Sequence, residues 1–164
     1  MSAHFDRERE LQGRMEAELS AALPEIEILD VELDDRAELV RVFIDHENGI
    51  GFEECAAVND VIRDTCPDHA LEVSSPGLER PMRRAPHFAD AIGEPVRLRR
   101  AGVHKAGRFN IVAVDEAVGV TFAPEGGEEF VVPFDQIIRC KLVVDDPFAA
   151  AAAAKQGKGK GTQA

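Results

Sequence analysis

Eight basic side chains crowd the middle of this chain: Arg80, Arg83 and Arg84; then Arg97, Arg99 and Arg100; then Lys105 and Arg108. A guanidinium offers a planar fork of donors that grips two oxygens of a phosphate or carboxylate at once. The chemistry these residues offer is anion binding. Arg97 and Arg99 lie two apart in a segment of strand character, so they share a face, with Val96 and Leu98 on the other. Loop 101–107 carries Lys105 and leads to Arg108. For the connector arginines two readings stand open. They contact nucleic-acid phosphate, or Arg80 and Arg83 pair with acidic residues upstream and fix how two halves of the molecule sit.

Other chemistries lack their signals. The chain has no GxSxG, Walker loop, GxGxxG or HExxH. Its histidines (His4, His46, His69, His87, His104) lie in or near predicted turns and helix ends and read as solvated. The run Asp45-His46-Glu47-Asn48-Gly49 faintly suggests a calcium loop, but Gly49 and Ile50 stand where Asp or Asn and then Gly are needed. The three cysteines, Cys55, Cys66 and Cys140, form no CxxC pair. Cys55 and Cys66 share one predicted helix and are about 16 Å apart along it, too far for a disulfide. All three read as reduced and buried, which suits a cytoplasmic protein. No catalytic residue, metal or cofactor is expected, and the chain reads as a binding protein, not an enzyme. Trp and Tyr are absent, and Phe88 and Phe109 read as core. Contacts to phosphate, shape and protein are therefore expected, without stacking on single-stranded bases.

The net charge of −12 argues against indiscriminate nucleic-acid binding. Residues 1–78 hold six basic and twenty acidic side chains, residues 79–110 eight and three, and residues 111–148 two and eight. A basic middle between acidic blocks makes any RNA contact local and oriented. There is no apolar run of membrane-spanning length and no signal-type leader, so a soluble chain is expected.

Elements must position these residues. Leu11, Met15, Leu19 and Ala22 put one apolar stripe on a helix over 3–23, which Pro24 ends. Its acidic residues, with those of the following hairpin, read as solvent faces. Residues 26–33 and 39–45 alternate as two strands, with a bulge at Leu29-Asp30. A second helix over 53–66 and a short strand at 71–74 complete an α-β-β-α-β block. Ser75-Pro76-Gly77 breaks the pattern, and a short helix over 85–92 follows. Strands are then expected at 96–100, 108–115, 118–123, 129–132 and 138–144, with a 3-10 turn at 133–136. Five short strands in so few residues suggest a small closed barrel. The fold class is thus α+β: an N-terminal two-layer domain over 1–82, a connector helix and barrel over 83–148, and a disordered Ala/Gly/Lys tail over 149–164.

The run Leu71-Glu72-Val73-Ser74-Ser75-Pro76-Gly77-Leu78-Glu79-Arg80-Pro81 resembles the signature segment of the RimP family of ribosome maturation factors. Val42-Phe43-Ile44-Asp45 upstream, and His87-Phe88, Phe130–Ile138 and Lys141-Leu142-Val143 downstream, extend the resemblance over about residues 5–146. It implies a C-terminal SH3-like (Sm-like) barrel and a monomer without membrane, small-molecule or cofactor partners. It implies a role in ribosome biogenesis: binding the free, immature small (30S) subunit through ribosomal RNA and a ribosomal protein near the decoding centre. Ser74, Ser75, Pro76, Gly77, Leu78, Arg80 and Pro81 would shape the junction between domains. A ring-forming RNA-binding Sm-like module and a nucleic-acid enzyme are the rival readings.

Overall fold

Leu11, Met15 and Leu19, four residues apart, wind onto one stripe of helix α1 (Ala3–Ala22) and are buried there. The computed structural model describes residues 3–144. The expected tail lies outside these. Strands β1 (Ile26–Asp34) and β2 (Leu39–His46) form an antiparallel hairpin whose register slips between Ile28 and Asp30. That bulge breaks the alternation, so Ile28, Leu29, Asp30 and Val31 are all buried. The chain then crosses through helix α2 (Phe52–Ile62) and a 3-10 turn (Arg63–Thr65) to β3 (Ala70–Ser74). β3 pairs parallel to β2, the arrangement that requires such a crossover. Glu54 accepts a hydrogen bond from the Gly51 N–H at 2.7 Å and steadies the start of α2. Met15, Leu19, Val31, Val42, Val58 and Ile62 lie in one apolar core between helices and sheet.

The second sheet contains β4 (Pro95–Arg100), β5 (Gly107–Asp115), β6 (Gly119–Ala123), β7 (Phe130–Val132) and β8 (Ile137–Leu142), in the order β7-β6-β5-β4-β8. A 3-10 turn (Phe134–Gln136) joins the two outer strands. Short helix α3 (Ala85–Ala89) sends Phe88 into a separate core with Val96, Leu98, Ile111, Phe122 and Cys140. Phe109 and Phe130 meet edge to face at 5.0 Å beside it. Gly119, at φ +148°, starts β6 where a Cβ would stand 2.2 Å from the Val132 carbonyl oxygen, so glycine is required there.

The connector is part of this second sheet. Pro81 bridges to Lys141, the Met82 N–H donates to the Cys140 carbonyl at 2.8 Å, and the Leu142 N–H donates to the Arg80 carbonyl at 3.1 Å. Residues 80–82 therefore run along the otherwise open edge of β8.

Several expectations need correction. Glu8 and Asp30, read as solvent-facing, are fully buried. His87, read as solvated, is buried, and Cys55 is half-buried instead of fully buried. The second helix turns 3-10 after Ile62, and the third ends at Ala89, earlier than expected. No helix among the described residues is long and apolar enough to cross a membrane.

Candidate functional site: a charged junction and a basic sheet face

The bulge in β1 turns Asp30 inward, where it meets two arginines. Arg83, with a side chain only 9% exposed, donates from Nε and Nη2 to Asp30 at 3.2–3.3 Å. Its remaining donors reach the Ile137 carbonyl and, at 2.8 Å, the Ile138 carbonyl of β8. Arg9 of α1 donates to Asp30 Oδ1 at 3.0 Å and to the Val31 carbonyl at 2.9 Å. The Phe5 ring lies under both guanidiniums, 5.3 and 5.6 Å from its centroid. One carboxylate of the first sheet thus fastens the connector, which in turn holds the backbone of the second.

A second buried pair crosses the same boundary. Glu8 accepts from the Leu33 N–H at 2.7 Å and from Arg139 of β8. Burial pulls against the charge of both partners, but the hydrogen bond and charge of Arg139 hold the Glu8 carboxyl below its ordinary value. The Arg139 guanidinium is raised in return. Burial, with Arg83 nearby, lowers Arg9 despite its contact with Asp30. On the rim, Arg80 donates to Asp45 at 2.6 Å and Arg84 pairs with Glu16 and Glu27. His87 Nδ1 accepts from the Arg83 and Arg84 N–H groups at 3.1 and 3.0 Å. That fixes the proton on Nε2, which faces Glu27 at 2.9 Å.

The strand arginines lie elsewhere. Register places Arg97 of β4 between Arg108 of β5 and Lys141 of β8, and places Arg99 opposite Arg139. Val96, Leu98 and Cys140 face the core from the same strands, so these cations share the opposite face. Arg97, Arg99 and Arg108 are exposed. Arg100 follows an irregularity in β4 and lies over the Phe130 ring at 4.2 Å. Lys105 is exposed in the β4–β5 loop. The eight basic residues therefore divide: Arg80, Arg83 and Arg84 are engaged with carboxylates of the first unit, Arg97, Arg99 and Arg108 share a basic sheet face, and Arg100 and Lys105 lie apart from it, over Phe130 and in the loop.

Sequence reasoning missed Arg139 and Lys141. The signal was present, because they alternate with Cys140 and Leu142 as Arg97 and Arg99 alternate with Leu98. Of the signature residues, Ser74 ends β3, Gly77 takes φ +71°, and Pro81 is buried against β8. Ser75 and Leu78 are exposed, and Pro76 is half-buried. Among the described residues no group of His, Cys, Asp and Glu is placed to hold a metal ion.

Fold and junction define an α+β protein of two sheets, pinned together by buried ion pairs through a basic connector. Residues 17–79, from the last turns of α1 through the start of the connector, match the family model of the RimP N-terminal domain. This segment is thus similar to the N-terminal domain of the RimP family, a family of ribosome maturation factors.

Proposed function

We propose that the protein is a non-enzymatic assembly factor of the small (30S) ribosomal subunit. It binds the free, immature subunit through ribosomal RNA and a ribosomal protein near the decoding centre. The observation that carries this reading is the RimP N-terminal domain match, which runs into the Ser74–Pro81 segment at the junction. The charge distribution supports it. An acidic first unit suits a basic ribosomal protein, since complementary charge orients docking. Exposed Arg97, Arg99, Lys105 and Arg108 suit phosphate.

In this reading the second sheet curls into a small SH3-like barrel. Phe88, Phe109, Phe122 and Phe130 fill its middle, and the 3-10 turn brings β7 towards β8. The N-terminal domain extends to the connector, and the barrel follows through β8, its expected last residues lying outside the described ones. The protein works as a cytoplasmic monomer and stabilises an on-pathway arrangement of RNA and protein, leaving as the site matures.

The test is sedimentation of the purified chain with separated small subunits, large subunits and joined ribosomes. Selective co-migration with free small subunits is expected. A chain that stays at the gradient top with immature small subunits at low salt refutes the reading.

A further inference from the structure

Like charges directly opposite each other weaken a sheet, yet Arg97 faces Lys141 and Arg99 faces Arg139 across β4 and β8. These four side chains, with Ala106 and Glu32, line a cavity of about 270 Å³. Arg139 is engaged with buried Glu8, but Arg97 and Arg99 have no ion-pair partner among the described residues. Within the cavity wall four cations face one carboxylate. An arrangement that loses energy through repulsion and keeps two forked donors open is built for an anion.

Glu32 shows where such an anion would sit. It projects from β1, across the junction, with its Oε2 2.8 Å from Lys141 Nζ and 3.8 Å from Arg139 Nε. Its side chain is largely covered, and the buried Oε2 has no hydrogen-bond partner despite the close ammonium. It satisfies charge without satisfying geometry. A phosphate oxygen, with more lone pairs and a freer approach, fits the same cations better.

The occupant is set by the site's make-up. Protein interfaces centre on aromatic and aliphatic side chains, whereas this wall is made of four cationic side chains, one carboxylate and Ala106. Paired strands about 4.8 Å apart, with same-face residues about 6.7 Å apart along each, form a grid that grips successive phosphates of one strand. We propose that Arg97, Arg99, Arg139 and Lys141 form a phosphodiester-binding site for an RNA backbone, and that Glu32 is its built-in competitor. The proposal deepens the ribosome-maturation reading and rests on it for RNA as the occupant. RNA entering the cavity displaces Glu32 from Lys141 and so loosens one of the ties between the two sheets.

The test titrates a fluorescein-labelled RNA hairpin of mixed sequence with the full chain, read by anisotropy over a salt series. The double variant Arg97→Gln/Arg99→Gln is expected to bind roughly tenfold more weakly. Its log affinity against log salt should be shallower by about 0.7–0.9 for each lost contact. Glu32→Gln should bind about two- to fivefold more tightly, the size of one partly covered ion pair removed from competition. Glu32→Asp, which retracts the carboxylate by one methylene, should tighten binding as well and serves if the glutamine variant does not fold. Unchanged affinity in the arginine double variant overturns the site. Unchanged or weaker binding in the Glu32 variant that folds overturns the competitor. Displacement of the hairpin by polyglutamate as effectively as by unlabelled RNA assigns the face to an acidic protein and also overturns the proposal. Sedimentation of the same variants separates the two readings. An arginine double variant that loses the hairpin yet still co-migrates with small subunits leaves the ribosome reading standing and removes this site as its RNA contact. Wild-type chain that binds the hairpin through these residues but never co-migrates leaves the site standing and removes the ribosome reading.

Discussion

Asp30 is the residue on which the junction turns. It is fully buried between Arg9 and Arg83, and removing one partner of a buried pair leaves uncompensated charge in a poor solvent. Asp30→Ala is therefore expected to lower the unfolding free energy by about 3–5 kcal/mol, measured by denaturant titration. The acid limb of stability has a different origin. The hydrogen bond from Arg7 holds Asp35 at about 2, against an ordinary 3.8, with His69 and His4 adding to it. A carboxyl lowered on folding contributes stability that is complete above its unfolded value and disappears as pH falls through the folded one. Stability should fall between pH 3.8 and about 2 in part through Asp35, and Asp35→Asn should flatten that stretch of a melting-temperature profile. Glu8, also held below its ordinary value, acts in the same direction. The thiols give a third check at this scale. Burial pushes Cys140 up to about 12 and raises Cys66 less, while Cys55 is the least covered. Burial and Glu54 raise Cys55 as well, so native protein should give one thiol that reacts ahead of the other two with a disulfide reagent, and all three readily only on unfolding. Equal reactivity of the three in native protein contradicts the packing. The buried acids were the least legible residues in the sequence. Glu8 continues the Leu11–Met15–Leu19 stripe by one step, and Asp30 is carried inward by the bulge. Periodicity marks both positions, but the residue type pointed to solvent because their partners, Arg139 and Arg83, lie far along the chain.

Elements were far more legible, because apolar alternation and punctuation by Pro and Gly act locally. Both sheets' strands fall within a residue or two of the expected ranges, and the β1 bulge lies where its pattern slips. Pairing order was not legible: that β8 lies beside β4 is a long-range fact, and it alone brings Arg139 and Lys141 to Arg97 and Arg99. The connector's place along β8 is equally non-local. The tight approach of β6 to the end of β7 gives a prediction at this scale. Gly119→Ala combines a disfavoured φ with a backbone clash and should cost about 1–3 kcal/mol, whereas the same change at exposed Gly13, where nothing lies within 4 Å, should stabilise helix α1 by up to about 1 kcal/mol. Thermal melts of the two variants shifting the same way contradict the assignment.

At the scale of the whole molecule, the cations of the second unit are sorted by position. Basic residues on the second unit either fasten the first or stay on an open face, so a −12 chain keeps one cationic surface. In the proposed role, subunit binding should weaken with salt, and the Arg97→Gln/Arg99→Gln variant should lose part of that dependence in sedimentation. The ion-paired Arg84 allows a contrast: Arg84→Gln should leave the salt slope nearly unchanged, because its charge is already committed to Glu16 and Glu27.

Residues 80–82 running along β8 also govern how the protein can be divided. A fragment that starts at residue 83 leaves β8 with bare amide and carbonyl groups, a template for strand addition between copies. One that starts at residue 79 carries its own guard strand. The shorter fragment should self-associate as concentration rises in light scattering, and the longer should remain dispersed. In the intact chain, the Met82 and Leu142 amides should exchange with deuterium together, since each is protected only while the other's strand stays in place.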